Sequence, residues 1–451
     1  MNNILGVTGR SVLFCALVLG IVGATEAAQA AKFRVLYAFQ GGSDGASPFG
    51  AMVQGNKGRY GATYYGGPNN AGTIFRLSRD GTESVLYSFT GGSDGANPQT
   101  DLIADATGNL YGTASAGGAS GCGTVFKIKR NGHFTVLYAF KCRPDGFTPN
   151  GGLVLDAAGN LYGTTYGGGG SNEGTVFKLA PDGTETILYA FPGGSDAAYP
   201  VAGLIADQNG NLFGTTYGGG NAALGTVFKL TTSGEETVLY SFKGGSDGAN
   251  PFARLAEDAS GNLYGTTWGG GGNGCNGGGC GTVFRVAPDG AEAVLHSFAG
   301  GSDGFGPYAG VTLDASGNLY GSTLYGGGSG CSGNGCGLVF RLAPGGAKKD
   351  LHDSRAAMAH GPQPTLSPTT GAISTARRSM AEARVAAAVA AALLSRSSSR
   401  SANRTRRIDH AAVASTWARN CSLRAGERQD LRVEARVLRP SRIFPERNIA
   451  G

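Results

Sequence analysis

The phrase Gly-Asn-Leu-Tyr-Gly recurs along this chain at nearly constant spacing, and no other feature limits the possible folds as strongly. GNLYGTA begins at Gly108, GNLYGTT at Gly159, GNLFGTT at Gly210, GNLYGTT at Gly261 and GNLYGST at Gly317, with a degenerate first copy, GRYGAT, at Gly58. Successive copies start 50, 51, 51, 51 and 56 residues apart. Two further phrases keep step with it: GTVFKL (Gly174 and Gly225, variants at Gly72, Gly123, Gly281 and Gly337) and TVLYSF. A period of this length lies among those of propeller-blade repeats.

Each unit reads as four short strands rich in Val, Thr, Tyr and Phe. In the third unit they are expected at 152–156, 161–165, 175–179 and 186–191, separated by Asn-Gly- or Asp-Gly-type turns. With no helical pattern between them, such units predict an all-β propeller with blades of about 50 residues, six of them in frame. A fourth phrase, GGSDG-x-x-P, occurs at Gly41, Gly91, Gly244 and Gly300, with GGSDAAYP at Gly193 and a looser KCRPDGFTP at Lys141. It is expected to carry the chain from the outermost strand of one blade to the innermost strand of the next. A Ca²⁺ site needs six to eight oxygens. Each loop offers one carboxylate (Asp44, Asp94, Asp145, Asp196, Asp247, Asp303), so the loop is read as a corner.

Together GTVFKL, ETVLYSF, GGSDG-x-x-P and GNLYGTT resemble the GloVer-type tandem repeat of exported bacterial proteins over residues 33–343. The D-x-x-G-N-L-Y phrase also resembles, more weakly, NHL-type propeller repeats. The first resemblance implies architecture and export and does not imply an activity.

Composition divides the chain. All but six of the 81 glycines precede residue 344, and residues 1–343 carry formal charge −5 against +11 for residues 344–451. The organisation is therefore read as a signal peptide (1–30), a repeat propeller (31–343) and a basic low-complexity tail (344–451). Arg10, the apolar run SVLFCALVLGIVGA and Ala28-Gln29-Ala30 have the form of a secretory signal with small residues at the cleavage site. No other segment has the length of a membrane span. Cysteines agree with an oxidising compartment. Cys275/Cys280 and Cys331/Cys336 are spaced to staple equivalent loops, and Cys122 and Cys142 flank a hairpin that sets them nearly opposite. Zinc is the alternative, but C-x4-C without a nearby His is a poor zinc signature.

The tail is readable in a neighbouring frame. Taking the last base of each codon with the first two of the next, Met358-Ala359 forces Gly after a permitted Asp. Residues 369–383 then permit D-x-x-GNLYGTTVYGGG, starting 55 residues after the previous copy. The expectation is a single-base change near Asp353-Ser354, a disordered out-of-frame tail and a lost seventh blade. A basic tail of that origin carries no implication of nucleic-acid binding. The lone N-terminal strand at 33–39 (FRVLYAF) is expected to complete the last blade.

Chemistry is sparse. No GxSxG, HExxH, P-loop or dinucleotide fingerprint is present, so no catalytic residue, cofactor or metal is expected. His296 replaces the Tyr of VLYSF and is read as an ordinary strand residue. Asp105, Asp156, Asp207, Asp258 and Asp314 fall at the same turn of successive units, as structural residues do. Aromatics precede the Gly-rich loop in five units: Tyr65, Tyr166, Tyr217, Trp268 and Tyr325. They are the candidate binding residues, either stacking on sugars at one rim of the disc or packing between blades. The chain is thus read as an exported non-enzymatic scaffold or binding module for glycans or surface polymers. The alternative is a propeller lyase or glycan hydrolase.

Overall fold

The structure, a computed structural model, describes residues 35–275, 277–328 and 335–353. The expected signal peptide, the tail after Asp353 and Cys331 lie outside the described residues. Six antiparallel sheets form a six-bladed β-propeller, and the one helical element among the described residues is a 3-10 turn at Gly301–Asp303. In the third blade the strands are Val154–Leu155, Leu161–Thr165, Thr175–Leu179 and Glu185–Ala190, hydrogen-bonded in chain order from the inside outwards. The sixth blade ends with Lys348–Asp353, which pairs with Leu338–Leu342 and lies on the basic side of the composition break.

Register explains the invariant phrases. Gly163 lies directly opposite Phe177 on the neighbouring strand, and a Cβ on Gly163 would come within 2.7 Å of the Phe177 ring. The ring lies where that side chain would be. From there it meets Phe140, the last residue of the preceding blade's outer phrase, edge-to-face at 5.2 Å. The same contact joins Phe89 to Phe126, Phe191 to Phe228, Phe242 to Phe284 and Phe298 to Phe340, all at 5.0–5.4 Å. The core is thus a series of clusters between blades, each filled by a buried aromatic pair.

The threonines of the repeat satisfy one another or the adjoining blade. Thr165 and Thr175 share a buried hydroxyl bond of 2.7 Å, matched by Thr63–Thr73, Thr216–Thr226 and Thr267–Thr282 at 2.8 Å. The preceding threonine reaches across: Thr113, Thr164, Thr215 and Thr266 donate to Gly151, Ala202, Ala253 and Ala309 carbonyls of the next blade at 3.0–3.3 Å. Buried hydroxyls need such partners.

The loop phrase does more than turn the corner. Its last residues form short extra strands, Ala197–Pro200 and Ala249–Pro251, on the lengthened strands Leu212–Gly219 and Leu263–Gly269. Disulfides join Cys122 to Cys142 and Cys275 to Cys280, each with Cα atoms 5.3 Å apart, and Cys336 is also disulfide-bonded.

Two outcomes follow from this packing. Phe177→Ala should lower stability by about 3–5 kcal/mol in urea unfolding, and Gly163→Ala by about 1–3 kcal/mol, because the added methyl overpacks the same ring. Thiol titration of denatured, unreduced protein should find Cys122, Cys142, Cys275 and Cys280 unreactive.

Candidate functional site

The repeated carboxylates are occupied by the scaffold. Each turn aspartate folds back on its own hairpin. Asp105 accepts from the Thr107 and Asn109 backbones, the Asn109 amide and the Tyr111 hydroxyl at 2.7–3.1 Å. Asp156, Asp258 and Asp314 repeat this set, and Asp207 keeps the Asn part of it. Burial favours the neutral acid in Asp105, Asp156, Asp258 and Asp314, yet these donors outweigh it and hold all four below the usual carboxylate range. A carboxylate saturated in this way is a poor proton carrier.

The loop aspartates form a second set. Each accepts from the outer-strand tyrosine seven residues earlier: Tyr37–Asp44, Tyr87–Asp94, Tyr138–Asp145, Tyr189–Asp196 and Tyr240–Asp247, at 2.6–3.0 Å. His296 takes the tyrosine's place at 3.2 Å from Asp303. The loop is a latched corner, as its sequence suggests.

Opposite this latch the next blade presents its first outer-strand residue. Glu83, Glu185, Glu236 and Glu292 occupy the position in four blades, each with a buried Oε1 that has no hydrogen-bond partner among the described residues. Burial, then the facing aspartate's charge, pushes Glu185, Glu236 and Glu292 up to about 7. In the second blade Phe134 takes the place and stacks on Tyr87 at 3.8 Å. In the sixth, Lys348 does so and pairs with Asp303 at 2.9 Å. A cleft of about 680 Å³ lined by Tyr240, Lys243, Asp247 and Glu292 opens at one of these interfaces.

The aromatic candidates divide by register. Tyr166, Tyr217 and Trp268 occupy equivalent positions, and each is joined to an aromatic of the next blade. Tyr166 stacks on Tyr199 at 5.2 Å, Tyr217 meets Phe252 edge-to-face at 6.0 Å, and Trp268 meets Tyr308 at 5.8 Å. Phe252 and Tyr308 close the series at 4.0 Å. The result is one half-buried aromatic arc over blades three to six, with Trp268 still 36% exposed. Tyr65 and Tyr325 lie one residue later, where the pleat turns the side chain to the opposite face. Tyr64 and Leu324 hold the equivalent places. Tyr325 instead stacks on Phe305 at 4.7 Å, and Tyr65 lies against Tyr64, 40% exposed. These two are not part of the arc.

Sequence reasoning missed Tyr199, Phe252 and Tyr308, which belong to the loop phrases. A signal existed at Tyr199. The residue before the loop proline has positive φ in blade after blade: Ser47 at 55°, Asn97 at 54°, Thr148 at 55°, Asn250 at 55°, Gly306 at 63°. Asn and Gly tolerate this region, whereas the β-branched Thr148 at 55° and the bulky Tyr199 at 58° are each strained by roughly 1–3 kcal/mol. Among the described residues no three His, Cys, Asp or Glu side chains converge as metal ligands, and no helix is long and apolar enough to cross a membrane.

The glutamate pairs give a pH dependence. Unfolded, these glutamates ionise near 4.5; folded, they keep the proton to about 7. Their contribution is complete below about pH 4.5 and is lost as pH rises through 7. Being half exposed, they are partly screened, so the effect is modest. Melting temperature should fall between pH 5 and 8, and the triple variant Glu185→Gln, Glu236→Gln, Glu292→Gln should flatten that slope.

No functionally curated protein matches the chain significantly in sequence. Among solved structures, a candidate 6-phosphogluconolactonase from Bacteroides uniformis shares 17% identity over 67% of this chain and 80% of its own, with a TM-score of 0.40. The extracellular domain of a candidate hybrid two-component system from B. thetaiotaomicron shares 12% over 72% and 35%, TM-score 0.46. An ulvan lyase of polysaccharide lyase family 25 shares 12% over 69% and 85%, TM-score 0.40. The model of the Gloeobacter/Verrucomicrobia repeat matches residues 25–221 and 193–380. With its phrases in step across six blades, the chain belongs to the Gloeobacter/Verrucomicrobia repeat family.

Proposed function

We propose that this protein is an exported, non-enzymatic binding module whose aromatic arc takes extended glycans or another cell-surface polymer. The observation that carries the reading is the strained Tyr199. A repeat that elsewhere uses Ser, Asn, Thr or Gly before the proline places its one aromatic there, against backbone preference, and stacks it on Tyr166. Local strain of this kind concentrates at binding sites, where function rather than stability selects the residue. The arc of Tyr199, Tyr166, Tyr217, Phe252, Tyr308 and Trp268 spans four blades. Its half-exposed rings suit the apolar faces of successive sugar rings, and an array across blades suits a chain better than a single sugar. The disulfides fit the oxidising compartment that export implies.

The enzymatic alternative rests on the cleft at Asp247 and Glu292, where burial and then the Asp247 charge push the Glu292 carboxyl up to about 7. Against it stands repetition: the same pairing recurs at Asp145/Glu185 and Asp196/Glu236, so it belongs to the blade interface.

Two variants separate these readings on a panel of soluble polysaccharides. Tyr199→Asn should keep or raise the melting temperature while weakening polymer binding several-fold, and Trp268→Ala should weaken it further. Turnover of any polymer that is lost in Glu292→Gln but kept in Tyr199→Asn would establish the enzyme instead.

A further inference from the structure

Residues 35–40 sit where an outer strand should be, without the rest of its blade. Leu36, Tyr37 and Phe39 pack on Met52, Phe75 and Leu77 of the first blade. Phe39 meets Phe75 edge-to-face at 4.9 Å, the sixth instance of the aromatic pair that joins every blade to its successor. Tyr37 donates to Asp44 at 3.0 Å, so the latch of an outer strand is complete as well. The Leu36 carbonyl lies under Gly81, as those of Leu137, Leu188, Leu239 and Leu295 lie under the matching glycines of later blades. Yet this segment pairs with no strand among the described residues.

At the other end of the array no matching neighbour is found among the described residues. Val125, Val176, Val227 and Val283 each belong to a cluster that includes side chains of the following blade. Their counterpart Val339 is grouped, among the described residues, only with Tyr320 and Leu351 of its own blade. The repeat is kept up to His352, which pairs with Val339 as Tyr189 pairs with Val176. The next register position holds Ala or Ser in the other blades and Asp353 here.

We infer that the space between the sixth blade and residues 35–40 is the seat of three further strands, and that their sequence survives in this gene one base out of frame. If codon 353 is GAT and codon 354 begins TC, one C inserted after the first base gives GCA-TTC. That is Ala-Phe, the ending of LYAF and the aromatic that the next blade contact requires. Read on, the shifted codons permit Ser-Asp-Gly-x-x-Pro ending at residue 362, then Asp at 369 and GNLYG from 372. Pro and Asp stand seven apart, as do Pro98 and Asp105 or Pro307 and Asp314. The restored blade would take residues 35–40 as its fourth, outermost strand and close the ring by hydrogen bonds between the two ends.

The gene itself is the first test. Codons 353–383 should read Ala-Phe, Ser-Asp-Gly-x-x-Pro and Gly-Asn-Leu-Tyr-Gly once a single C is inserted in codon 353; their absence overturns the inference. The second test compares the full chain with the chain expressed from the base-restored gene. Restoration should raise the melting temperature by at least about 5 °C, since a closed ring adds several kcal/mol, and should protect residues 35–40 from thermolysin. Phe39→Ala should then lower the melting temperature more in the restored chain than in the unrestored one. A restored chain that is no more stable, or equal effects of Phe39→Ala in both, would show that no blade belongs there.

Discussion

One aromatic contact organises this molecule. The third-strand phenylalanine of each blade stands over a glycine of the second strand and reaches the terminal phenylalanine of the blade before it. Two of the repeat's signatures, the Gly of LYGTT and the Phe of GTVFKL, exist to place that ring, and a third, the Phe of LYSF, exists to receive it. Twist between blades, spacing and the dryness of the clusters follow from repeating the contact. A blade of four short strands could not bury enough apolar area alone; stacked through these rings, it has a core on both faces.

Around that contact the repeated polar groups are engaged by the scaffold itself. In blades two to six an aspartate in the first hairpin turn is bound by local donors, and a second aspartate is held at the latch behind the outer strands of blades one to five. The interface position facing the latch shows what the scaffold requires there. It accepts a protonated glutamate, a stacked phenylalanine or a lysine ion pair. Three chemistries at one place share only the property of filling a half-buried gap beside a carboxylate. This is why strongly displaced glutamates here belong to stability, although similar shifts elsewhere mark catalysis.

The aromatic arc is the part that departs from economy of folding. Loop residues before and after the proline vary freely without disturbing the blades, and in blades four to six they have become Tyr199, Phe252 and Tyr308. Each meets a ring from the preceding blade. Such a surface has no period, since it ends where Ser115 and Leu324 replace the aromatic.

Much of this was legible in the letters. Period, strand order, turn positions, disulfide pairs and the corner role of Asp94 or Asp247 follow from local rules, because each depends on residues within one repeat and on backbone preferences that act over two to six positions. Tyr65 and Tyr325 lie outside the arc for a related reason: counting aromatics near a glycine ignores the one-residue alternation of a strand, which sends neighbours to opposite faces. Contacts between repeats needed three dimensions. Nothing in the sequence says that Tyr166 touches Tyr199, or that the glutamate of ETVLYSF faces the aspartate of the previous loop. Repetition determined the blade, because every blade solves the same local problem. Only the packing of one blade on the next decided which side chains meet, because those distances are set by the ring and not by the chain.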